Sequence, residues 1–311
     1  MTGTARTLLS SLIDYAGLFP PAKLDMGPAV EAYAHARAGE HEWMLGRFVC
    51  PCSRLREMSG AAAPLLPGTF ARSGYREQST QGERWRITAL IDGDLEECLD
   101  TIDRFNEHHS HEENGRAMVD MMEMKATDAS EIDAALDVIP EGLFPFFEFP
   151  VTTDCRGFIA ALAGNSSGAK IRTGGVVGGA FPTVDEVGAF LLACDAADVP
   201  FKATAGLHHP CRGNYRLTYE KDSASCTMHG FLNLFLAAAI LKSKHCGPDT
   251  VREILSIEDP SGFKFSEDVV CCGRHMIEVT DLALVRESFA LSFGSCSFDE
   301  PVADLRRIGA L

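Results

Sequence analysis

Two lysines stand near the ends of two strand-like runs, and each is an amine with chemistry open to it. Lys170 lies in AKIRT, 169–173, and Lys202 in VPFKATA, 199–205. Arg172 follows Lys170 by two residues, and glycine follows both runs, so backbone can approach a ligand closely there. Inside a dry closed sheet, burial and a neighbouring cation would lower a lysine's pKa. That would make it a usable nucleophile toward a carbonyl. The plainer reading is that Lys170 or Lys202 pairs structurally with Glu148 or Glu123. An arginine stays protonated and suits the bidentate holding of a carboxylate or phosphate, which is the role expected of Arg172.

Other polar residues fall near strand ends in the same register. Asp14, Tyr15, Glu123, Lys125, Glu148, Thr204, His208 and Ser295 all belong there. Side chains alternate along a strand, so Lys170 and Arg172 share one face and Ile171 takes the other. His208 and His209 are adjacent and cannot both enter one site from a strand. A metal would need carboxylate partners for His208, and Asp14, Glu123 and Glu148 are available. The run His108-His109-Ser110-His111-Glu112-Glu113 resembles a metal site on paper, but it lies between a helix and the next strand and reads as a solvated loop. The loop FGSCS, 293–297, precedes a helix, the usual place for a phosphate in a barrel. Asp299 and Glu300 in the first turn oppose an anion there, and Ser297 with Glu300 fits a capping box.

The elements that must position these residues alternate. Strands are expected near Ser10–Gly17, Trp43–Cys50, Arg84–Ile91, Arg116–Lys125, Leu143–Val151, the two runs above, and Phe289–Ser297. Helices are expected over Gly27–Gly39, Asp94–His108, Ser130–Val138, Asp154–Ala163, Thr183–Ala197, Leu282–Phe289 and Pro301–Ile308, with the longest over Ser225–Lys244. His229 would then begin that helix. Residues 60–82 are rich in Gly, Pro, Ser and Ala and read as an irregular excursion. Eight strands alternating with helices is the pattern of an α/β (β/α)8 TIM barrel. An open doubly wound sheet is the competing arrangement, but no GxGxxG follows an early strand. Residues 212–285 exceed one strand–helix unit, so they read as a helical and irregular insertion between strands 7 and 8 of a single 1–311 barrel domain.

Composition narrows the partners. The chain has 311 residues, 46% hydrophobic, and a net charge of −16. That length supports a sizeable core. The acidic balance, with no local basic patch, argues against nucleic acid. The start MTGTARTLLSSLIDYAG lacks a long apolar stretch and carries Asp14, so it is a poor secretion signal. The longest apolar run, FLNLFLAAAIL, is too short for a bilayer. Eleven cysteines are scattered with no zinc-finger spacing, and Cys50 and Cys52 read as alternate positions at a strand end. The expectation is a cytoplasmic protein with free thiols, taking a small-molecule substrate, with no membrane association. Homo-oligomerisation stays open.

The blocks FFEFPV, GAKIRTGG and FPTVDEVGAFLLACDAADVPFKATAGLH, with FGSCS, resemble the second half of deoxyribose-phosphate aldolase and related class I aldolase barrels. The resemblance covers roughly residues 143–210 and 291–297. It implies that Lys202 is the second active-site lysine, which tunes its partner. In the gapless reading the imine-forming position falls on Arg172, which cannot form an imine. Lys170 takes that position only on a slip of two residues. The acidic turn after FGSCS and the long insertion are further departures.

The reading is therefore an enzyme on a small carbonyl or carboxylate compound, in first place an aldolase-like carbon–carbon lyase. Lys202, Lys170, Glu148 and Asp14 are its expected catalytic groups. Arg172, Thr204, His208 and Ser295 are its expected substrate-binding groups, with no metal and no cofactor. A metal-dependent lyase or hydrolase using Asp14, Glu148 and His208 is one alternative. A non-catalytic barrel that binds a small ligand is the other.

Overall fold

The computed structural model describes residues 1–68 and 82–311. Most of the expected excursion, residues 69–81, lies outside the described residues. Seven parallel strands come first: β1 (Ile13–Tyr15), β2 (Leu45–Pro51), β3 (Trp85–Leu90), β4 (Ala117–Lys125), β5 (Phe144–Glu148), β6 (Gly168–Arg172) and β7 (Phe201–Thr204). A hairpin of β8 (Gly213–Arg216) and β9 (Ser225–Met228) follows, then an antiparallel sheet of β10 (Phe263–Phe265), β11 (Val269–Cys272) and β12 (His275–Glu278). The last strand, β13 (Ala290–Ser295), pairs with both β7 and β1 and closes an eight-stranded parallel barrel. The (β/α)8 arrangement expected from the alternating pattern is the fold, and the open sheet is not.

Helices wrap the barrel through apolar stripes. Leu95–Ser110 buries Cys98, Ile102, Phe105 and His109 at helical spacing, and Asp94 caps it by accepting from the N–H groups of Glu96 and Glu97. Val184–Ala196 opens on a complete capping box between Thr183 and Glu186. The segment read as one long helix over Ser225–Lys244 divides. Ser225–Met228 is β9, and the helix is Phe231–Lys244, with every residue from Phe231 to Leu241 buried. A helix apolar all round must be enclosed. This one packs against β13 and the helices Val184–Ala196, Pro248–Leu255 and Val279–Ser288. The longest helix among the described residues is Leu95–Ser110, with 16 residues. Among the described residues no helix is long and apolar enough to cross a membrane.

One further device sits at the N-terminal end of the strands. The helix Gly3–Leu9, which was not expected, packs against Val279–Ser288. The buried Arg286 guanidinium ties the pieces together. It donates to the carbonyls of Leu8 at 2.8 Å, Leu291 at 2.6 Å and Ser10 at 3.0 Å, and also to Ala290. Burial pulls its pKa down to about 10, with Asp14 opposing.

Candidate functional site

The parallel register sets Glu148, Lys170 and Lys202 side by side, and charged side chains from five strands meet around them. Lys170 pairs in register with Lys202 and with Glu148, and Lys202 pairs with Ser292. Glu123 enters from β4 in a run of methionines, MMEMK, as the inward member of the alternation. All these side chains except Arg172 are buried, and together they form a continuous chain of ion pairs. Lys202 Nζ lies 2.7 Å from Asp14 Oδ2 and 2.5 Å from Glu123 Oε1. Lys170 Nζ lies 2.7 Å from the other oxygen of Glu123 and 2.8 Å from Glu148 Oε2. Arg172 Nε, on a half-exposed side chain, reaches Glu148 Oε1 at 3.1 Å. Asp14 also accepts from Ser292 Oγ and from the Arg47 backbone N–H, both at 2.7 Å.

The close fit around Asp14 depends on Gly46 of β2. A Cβ at that position would overlap Asp14 Oδ1, so the carboxylate has its place because the neighbouring strand carries no side chain there.

Electrostatics differ from the expectation for a dry lysine. Burial does pull the Lys202 pKa down, but Asp14 and Glu123 outweigh it, and the ammonium is held above its ordinary value. Burial would raise Glu123, yet Lys170 and Lys202 hold its carboxyl down at about 2. Glu148 is likewise held low, by Lys170 and Arg172 against burial. The charged forms of Glu123, Glu148 and Lys202 are thus the favoured ones.

A cavity of about 490 Å³ opens at the C-terminal ends of the strands, the face where barrels carry their sites. Lys170, Glu123, Glu148, Arg172, Thr204 and His208 line it, as do Lys125 and Cys296. Lys202 and Asp14 do not. Lys202 is fully buried, so of the two lysines in the ion-pair chain Lys170 is the one that meets the cavity. Ser295, expected to touch substrate, is also outside the lining and donates its hydroxyl hydrogen to the Ser297 carbonyl. Arg172 is at the mouth, but its Nε is already engaged by Glu148.

The two adjacent histidines part company. His208 lines the cavity, while His209 lies 2.6 Å from Asp304 and stacks on Tyr215 of β8. His208 Nδ1 is 3.4 Å from Glu300 and 4.0 Å from Cys296 Sγ. Burial lowers its pKa, but Cys296 and Glu300 lift it to about 9. The expected capping box is half formed. The Glu300 N–H does reach Ser297 Oγ at 3.2 Å, but the Glu300 carboxylate goes to His208 and Tyr219. His229 precedes its helix instead of beginning it, and bonds Pro182 O through Nε2. The histidine-rich run is not a solvated loop at His109, which is buried between Ser59 Oγ and the Gly115 carbonyl.

Sequence reasoning placed Glu123 and Lys125 at strand ends but left them outside the expected site. The period-two position of Glu123 among methionines was the available signal. Nothing in the sequence joined Tyr219 to Cys296 and Glu300, because the β8–β9 turn meets them only in the fold. The three side chains of the metal alternative have different partners: Asp14 is held by Lys202, Glu148 by Lys170 and Arg172, and His208 by Cys296 and Glu300. Among the described residues no group of three or more His, Cys, Asp or Glu side chains is arranged to hold a metal ion. Compared with known proteins, the sequence matches no family model and no curated protein.

Proposed function

We propose that this chain is an amine-dependent carbon–carbon lyase acting on a small carbonyl compound, with Lys170 as the amine. One observation carries the reading: a buried lysine ammonium faces a cavity of small-molecule size between two carboxylates at 2.7 and 2.8 Å. Lys170 thereby replaces Lys202 as the favoured nucleophile. The aldolase resemblance supports the same chemistry, with Lys170 in the imine-forming role and Lys202 as its fixed companion.

In this reading Glu148, which lines the cavity, takes a proton from the Lys170 ammonium when a carbonyl compound enters. The freed amine attacks the carbonyl carbon, a C–N bond forms, and the carbonyl oxygen leaves as water. The resulting iminium accepts the electron pair of the adjacent carbon–carbon bond as that bond breaks. A carboxylate takes the O–H proton of the hydroxyl on the far carbon of that bond, and this carbon leaves as an aldehyde. Protonation of the remaining enamine and hydrolysis then restore Lys170. Lys202 keeps Glu123 ionised and stays charged itself, so it orients the site and does not attack. Arg172 and Lys125 at the mouth favour a substrate with a carboxylate or another anionic group.

The test is reductive trapping. Acetone and propanal, each with cyanoborohydride, should leave a mass adduct on Lys170. Lys170→Met should remove it and Lys202→Met should not. An adduct confined to Lys202, or trapping that survives Lys170→Met, would overturn the assignment.

A further inference from the structure

Lining the same cavity, just past the strand that pairs with that of Lys202, is a second group of reactive type that the lyase reading does not use. Cys296 immediately follows β13 and lines the cavity wall, yet it is only 5% exposed, so only a small reagent can reach it. Four titratable groups face it from four elements. His208, on the loop after β7, has Nδ1 4.0 Å from Sγ. Tyr219, in the turn of the β8–β9 hairpin, has its hydroxyl 3.6 Å from Sγ. Glu300, in the first turn of the helix Asp299–Arg307, contacts both, at 3.4 Å from His208 and 3.1 Å from Tyr219. Tyr15 of β1 also lies within its field, and the Ala22 backbone N–H bonds the sulfur. His208 Nδ1 thus stands between the sulfur and the Glu300 carboxylate, and an imidazolium and a tyrosine hydroxyl beside a thiol favour its thiolate, the nucleophilic form.

We propose that Cys296 is a peroxide-reactive thiolate at the barrel mouth, with His208 as its charge partner and proton source and Tyr219 as a second hydrogen-bond donor. Hydroperoxides are the chemical class because the reaction expels an oxyanion, and an imidazolium N–H stands beside the sulfur to protonate it. The thiolate attacks one oxygen of the peroxide. An S–O bond forms, the O–O bond breaks, and the leaving hydroxide takes the His208 proton to become water. Sulfur is oxidised by two electrons to the sulfenic acid, and the peroxide is reduced by the same two.

The other cysteines supply the contrast. Burial raises the thiol pKa of Cys50, Cys194, Cys211 and Cys272. Cys226, Cys246 and Cys271 are partly exposed but have no such partners among the described residues. The Cys296 thiol is pulled down: burial opposes this, and His208, Tyr219 and the Ala22 N–H prevail. The thiolate is the reactive form and an ordinary thiol is only a few per cent thiolate at pH 7, so a thiol whose partners favour the thiolate gains up to about tenfold, less the nucleophilicity lost.

The test does not depend on the lyase reading, since it follows mass and not turnover. The whole chain is treated with hydrogen peroxide near stoichiometry at pH 7, and sulfenic acid is captured with dimedone and located by mass spectrometry. Capture should appear at Cys296 about tenfold faster than at Cys226, Cys246 or Cys271. His208→Gln should slow it by a similar factor. Equal or faster capture at the exposed cysteines, or a His208→Gln rate that matches the wild type, would overturn the proposal. Should His208→Gln disturb folding, the pH profile of iodoacetamide alkylation on the unmodified chain decides. Half-maximal reaction of Cys296 must fall at lower pH than that of Cys226, Cys246 and Cys271, and coincident profiles would refute it.

Discussion

Replacing Lys202 by methionine should destabilise the barrel while leaving the Lys170 amine in place. Methionine is similar in bulk and leaves no large cavity, so the effect is electrostatic. The wild-type ammonium stands 2.7 Å from Asp14 and 2.5 Å from Glu123, with all three side chains buried. At an effective dielectric constant of about 20, each contact is worth roughly 6 kcal/mol of gross attraction, most of it offset by desolvating the ions. The substitution removes the attraction but leaves two carboxylates out of water. Glu123 keeps Lys170, while Asp14 keeps only the Ser292 hydroxyl and the Arg47 N–H. Breaking such a pair from one side costs about 3–5 kcal/mol. Lys170→Met leaves Glu123 with Lys202 and Glu148 with Arg172, so its cost should be about 1–3 kcal/mol. Urea unfolding at pH 7 reads both. The cycle is completed with Asp14→Asn, which in the Lys202→Met background should recover about 2 kcal/mol. A loss below about 1 kcal/mol for Lys202→Met, or strict additivity in the cycle, would refute the account of Lys202 as the cation that neutralises Asp14.

Two further predictions concern stability. The Glu123 carboxyl is depressed from 4.5 to about 2, so its contribution of about 3 kcal/mol is complete above pH 4.5 and is lost as the pH falls from 4.5 toward 2. Glu123→Gln should therefore show a flatter fall in urea midpoint across that window. Parallel curves for the two proteins would show that Glu123 is not the group responsible. Arg286→Met removes the donor shared by the carbonyls of Leu8, Ala290, Leu291 and Ser10, and should cost about 2–4 kcal/mol. Thermal unfolding followed by circular dichroism checks it, and an unchanged midpoint would show that these carbonyls are equally well satisfied by water.

The sequence by itself determined the order of strands and helices, and through that the closed barrel. Period-two and period-3.6 patterns are local, and eight alternations leave few ways to bury the apolar faces. It also determined which polar residues reach the C-terminal ends of the strands. Lys170, Lys202, Glu148, Asp14, Thr204 and His208 are legible from their place in each strand or just beyond it. Patterns that depend on distant partners were not legible. The run 225–228 pairs with β8 and becomes a strand, although it adjoins a strongly apolar helix. Which lysine meets the cavity could not be read either. Lys170 and Lys202 stand side by side in register, and only the placement of Asp14 from β1 and Glu123 from β4 seals one and leaves the other at the cavity wall. The sign of the Lys202 shift turned on the same fact. Desolvation can be anticipated from a strand's apolar neighbours, but the two carboxylates that outweigh it are 188 and 79 residues away in sequence. That Ser295 lies outside the cavity lining, its hydroxyl bonded two residues on at Ser297, was not legible either. The Cys296 group assembles from β1, two loops and a helix, and loop conformation is set by tertiary packing, not by any periodicity the chain carries.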